Sequence, residues 1–68
     1  MSMQIVLVGE KFNSEEVHWE YSDLVLALQE AAEKSNIHDM DYVVLFVNRE
    51  PVGCWIDGEQ KIGTVMTP

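Results

Sequence analysis

Sixty-eight residues suffice for one domain and leave no room for a second. Twelve acidic side chains against four basic ones give a formal charge of −8. Phosphates are held by Lys and Arg, and Lys11, Lys34, Arg49 and Lys61 are scattered along the chain, so direct binding to nucleic acid is not expected. The apolar content of 47% argues against disorder.

The chain is read as a single small α+β domain spanning residues 1–68. Its one cysteine, Cys54, rules out an internal disulfide and fits a reducing compartment, so a cytoplasmic location is expected. The apolar run 5–8 is too short for a signal-peptide core or a membrane span.

Residues 3–8 read as a first strand, bounded by Gly9. Asn13 and Ser14 supply turn chemistry, and 16–21 then alternates. Val17, Trp19 and Tyr21 point one way and Glu16, His18 and Glu20 the other, the pattern of a half-buried strand with a wet face. The period then changes to that of a helix over about 23–35. Ser22 is the expected N-cap, and Leu24, Leu28, Ala31, Ala32 and Ser35 form the expected buried stripe, flanked by Val25 and Ala27. Glu30 and Lys34 are placed as an i,i+4 ion pair, and Asn36 as a left-handed C-terminal residue.

Residues 42–47, YVVLFV, are apolar without alternation and read as a central strand. A turn at 48–51 follows, then a strand at 52–56. Asp57 and Gly58 are suited to a tight hairpin turn, and a weak last strand is expected over 60–66. The element order ββαβββ, with a right-handed crossover of the helix, predicts an antiparallel sheet of four to five strands in the order 2-1-3-4-5, with the helix on one face.

One helix covers one face only, whereas the first and third strands are apolar on both sides. Val6, Val8, Val44, Phe46 and Trp55 are therefore the expected residues of a homodimer or subunit interface on the uncovered face. A second surface is expected where Leu26, an apolar side chain, sits among Gln29, Glu30 and Glu33 on the helix side opposite the buried stripe. Glu16 and Glu20 on the second strand extend the acidic surface.

Chemistry is weakly represented. His18, His38, Cys54, Asp39 and Asp41 lack zinc-ligand spacing. Cys54 falls among strand residues rather than in an activating environment. Glu16 and Glu20 would stand about 13 Å apart on a strand, beyond the separation used by acid/base pairs. No catalytic residue, metal or cofactor is expected. The make-up is that of a small acidic inhibitor or modulator, of the phage anti-defence or immunity type, that binds a basic protein, such as a nucleic-acid-binding one, through carboxylates standing in for phosphates. The alternative is an obligate accessory subunit that docks through its open sheet face and carries its charge for solubility. No membrane partner is expected.

Overall fold

The computed structural model describes residues 3–62. Its elements are β1 (Ile5–Lys11), β2 (Glu16–Tyr21), α1 (Leu24–Ser35), β3 (Met40–Val47), β4 (Glu50–Ile56) and β5 (Glu59–Ile62). The five strands form one antiparallel sheet in the order β2-β1-β3-β4-β5, with α1 packed on one face. This is the α+β arrangement expected from the order of elements. Residues 63–66, expected to extend the last strand, lie outside the described residues.

Three hairpins are closed by left-handed backbone. Ser14 (φ 72°) ends a three-residue loop in which its own N–H donates to the Lys11 carbonyl at 2.9 Å. Asn48 (φ 52°) and Arg49 (φ 74°) form a two-residue turn, as do Asp57 (φ 54°) and Gly58 (φ 81°). Positive φ at both central positions matches the twist of paired strands, and this is why short hairpins favour it. Asn48 also fastens the start of β1: its N–H donates to the Gln4 carbonyl at 2.8 Å and its Oδ1 accepts from Gln4 N at 3.0 Å.

Gly9 lies inside β1 and does not end it. A side chain there would meet Met40 Sδ at 2.8 Å and Trp19 Cζ3 at 3.1 Å. The missing Cβ is the space those two side chains occupy. Gly53 in β4 has the same role for Trp55, whose ring atoms would stand 2.9 Å from an added Cβ.

The helix sits differently from the expected stripe. Its buried residues are Ala27, Ala31 and Ser35, spaced by four along one ridge. Leu24 and Leu28, expected in the core, are 37% and 41% exposed. Small side chains let the helix axis approach the sheet closely, and the bulky leucines are turned to its flanks. Asp23 is the N-cap in place of Ser22: its Oδ1 accepts from Val25 N at 3.0 Å. Asn36 caps the other end with φ −93° rather than a left-handed conformation.

Under the helix lie Ile5, Leu7, Met40, Val43, Leu45 and Trp55, all buried, with Val17, Trp19, Tyr21, Val47 and Val52 packed around them. Lys34 Nζ stands 4.8 Å from the centre of the Trp19 ring and 3.1 Å from Glu30 Oε1, so the expected i,i+4 pair is present and doubles as a cation–π contact.

Ser35 is the buried polar side chain of the described core, 1% exposed. Its hydroxyl donates to the Ala32 carbonyl at 2.9 Å and accepts from Gly58 N at 2.9 Å, tying the end of α1 to the β4–β5 turn. Ser35→Ala should lower stability by about 1–3 kcal/mol in urea unfolding, because it strands the Gly58 donor. Gly53→Val should cost a comparable ~1–3 kcal/mol by forcing the Trp55 ring off its seat, with a red shift of tryptophan emission as the direct sign.

Candidate interaction surface on the open sheet face

Cross-strand register decides which side chains share the face away from the helix. Val6 pairs with Glu20 and Phe46, Val8 with His18 and Val44, and Glu10 with Glu16 and Tyr42. Val44 in turn pairs with Cys54. Directly paired residues project to the same side of a sheet. The open face is therefore an apolar strip of Val6, Val8, Val44, Phe46 and Cys54, edged along β2 by Glu16, His18 and Glu20. The strip's side chains are half-buried, and among the described residues no second layer lies above them.

Trp55, expected on this face, is not there. It pairs with Val43, lies on the helix side and is 5% exposed. The reason is a bulge: Phe46 pairs with Pro51 but Leu45 with Gly53, leaving Val52 as an extra residue. One inserted residue reverses the facing of everything after it.

The expected acidic surface is also divided. Leu26 (43% exposed), Gln29 and Glu33 are exposed on the outer side of α1. Glu30 is drawn away: it pairs with Lys34 at 3.1 Å and accepts the Tyr21 hydroxyl at 3.4 Å. Glu16 and Glu20 are exposed but belong to the other face of the sheet, so the six residues do not form one patch. The structure also exposes Leu24 and Leu28, which the periodicity had assigned to the buried side, together with Val25, which is 63% exposed; all three lie away from Leu26 around the helix.

A shallow concavity of ≈ 270 Å3 opens on the apolar strip, lined by Gln4, Val6, Val8, His18, Phe46 and Arg49. Arg49 is the lining residue that sequence reasoning passed over, because a single arginine in a turn carries no pattern. At the far end of the face Tyr42 Oη donates to Glu10 Oε1 at 2.8 Å, and His18 Nε2 lies 3.0 Å from Glu16 Oε1. The hydrogen bond to Glu10 raises the Tyr42 pKa above its ordinary value, with burial adding to it. Burial pushes the Cys54 thiol up, which disfavours the reactive thiolate.

Among the described residues no three His, Cys, Asp or Glu side chains gather as metal ligands. His38 is exposed, and Asp39 is occupied with Lys11 at 3.7 Å. No helix among them is long and apolar enough to cross a membrane. No protein-family model matches the chain, and no curated protein or solved structure matches it either.

The Tyr42–Glu10 bond gives a signed pH dependence. A tyrosine whose folded pKa is raised holds its proton more tightly than in the unfolded chain. Its stabilisation is thus complete below the ordinary value of about 10 and lost as pH rises through the higher folded value. Stability measured by urea unfolding should fall above about pH 10, and Tyr42→Phe should flatten that fall while lowering stability at neutral pH.

Proposed function

We propose that the chain is a non-enzymatic acidic binding protein that pairs with a second copy of itself through the open sheet face and engages a basic protein, as its inhibitor or modulator. The observation that carries this reading is the strip of Val6, Val8, Val44 and Phe46, which no described element covers, on a sheet whose other face carries α1. Apolar surface of this kind is favourably removed from water by a second layer, and sheet-on-sheet packing supplies one. Face-to-face pairing leaves both helices outermost, with Leu26, Gln29 and Glu33 displayed on each side. The basic partner follows from charge: a molecule of net −8 attracts and orients a basic surface at long range.

A second reading is supported by the helix itself. Leu24, Val25 and Leu28 share one flank of its first turns and are all more than a third exposed, giving a second apolar surface that fits an accessory subunit held within a larger assembly.

Sedimentation of the purified chain separates the two. The first reading expects a discrete dimer that Phe46→Glu converts to monomer with the fold intact by circular dichroism. The second expects no discrete dimer and loss of partner binding in Val25→Glu. A basic partner held by charge should also be released as salt is raised from about 50 mM to 500 mM. Retention unchanged over that range would remove electrostatics from the proposal.

A further inference from the structure

The orientation of the dimer is written in the charges at the two ends of the open face. Each of the three lysines has a carboxylate partner within the chain: Lys11 with Glu15 and Asp39, Lys34 with Glu30, and Lys61 with Glu59. Among the described residues Arg49 has none. Its side chain instead lines the apolar concavity beside Val6, Val8 and Phe46. A guanidinium on such a floor, in a chain with a threefold excess of acidic residues, is an unmatched charge. The turn that carries it is pinned to Gln4 by both hydrogen bonds of Asn48, so Arg49 marks the Gln4 end of the sheet.

The opposite end carries the reverse imbalance. Glu10 and Glu16 face each other directly across β1 and β2, an arrangement of like charges that is unfavourable in isolation. Glu10 is held by the Tyr42 hydroxyl and Glu16 by His18, yet neither meets a lysine or arginine of the described chain. One face thus has a spare cation at one end and spare carboxylates at the other, about 20 Å apart along β1 at the usual rise of a strand.

We propose that two copies pack face to face about a two-fold axis that lies between the two sheets, parallel to them and perpendicular to the strands, so that Arg49 of each copy meets Glu10 of the other. This rests on the homodimer reading above and specifies its geometry. An axis at the level of Leu7 and Leu45, midway between the two ends, lays Val6 and Phe46 of one copy over Val8 and Val44 of the other. The interface is then self-complementary, as a two-fold requires. An axis parallel to the strands would instead set Arg49 on Arg49 and Glu10 on Glu10. The perpendicular axis also stacks the two β2 edges and gathers both copies' Glu16 and Glu20 into one acidic ridge for a basic partner. The ridge lies at the solvent rim, where salt screens its self-repulsion.

The test is a charge exchange read by native mass spectrometry and sedimentation of the full chain. Arg49→Glu alone and Glu10→Arg alone should each weaken the dimer at least about tenfold, and the double variant should recover most of that loss. Mixing the two single variants should give a heterodimer, resolved by its mass, that is tighter than either homodimer. Its formation would also show that both variants are folded. A heterodimer no tighter than the parents, or single variants as tight as the unaltered chain, would overturn the orientation and leave the homodimer standing. A chain that stays monomeric at every concentration would overturn the homodimer and the orientation together.

Discussion

Everything in this fold depends on how closely one short helix lies against the sheet. The contact is made by Ala27, Ala31 and Ser35 above and by Leu7, Val43 and Leu45 below. None of the three helix residues projects far, so the gap is narrow, and the volume beside it is filled from the flanks by Trp19 on β2 and Trp55 on β4. Each tryptophan lies across a glycine, Gly9 and Gly53 respectively. Small residues on the helix and missing side chains on the sheet are two halves of one packing solution.

That solution accounts for both faces of the molecule. A helix seated on alanines has no inward place for its leucines, so Leu24, Leu26 and Leu28 are left at the surface. A helix of twelve residues packs on one side of a five-stranded sheet, and among the described residues there is no second helix for the other. The apolar strip on the open side and the apolar shoulder of the helix therefore share a cause: secondary structure is scarce relative to the apolar surface it must cover.

The sheet was legible in the sequence because its signals were local and mutually consistent. Alternation in 16–21, the unbroken apolar run in β3 and the Asp57–Gly58 turn each pointed to one arrangement, and strand order followed from a single crossover rule. Two errors had physical causes that periodicity does not register. The expected helix stripe contained Ala31 and Ser35, which are buried, but ran along Leu24 and Leu28, whereas the observed contact turns toward the small Ala27. Trp55 was assigned to the open face by unbroken alternation along its strand, and the extra residue at Val52 reverses that facing. The candidate surface was therefore readable as a strip of valines with Phe46 and unreadable at its ends, where register places Glu10 on the face and Arg49 is brought to it by the concavity it lines.

The outermost strands add a last constraint on association. Any sheet with free margins can recruit further strands and grow sideways without limit. Here β2 carries Glu16 and Glu20 with their side chains exposed. Lateral docking of an identical margin would set like charge on like charge along β2. Ribbon growth through the β2 margin is thereby disfavoured.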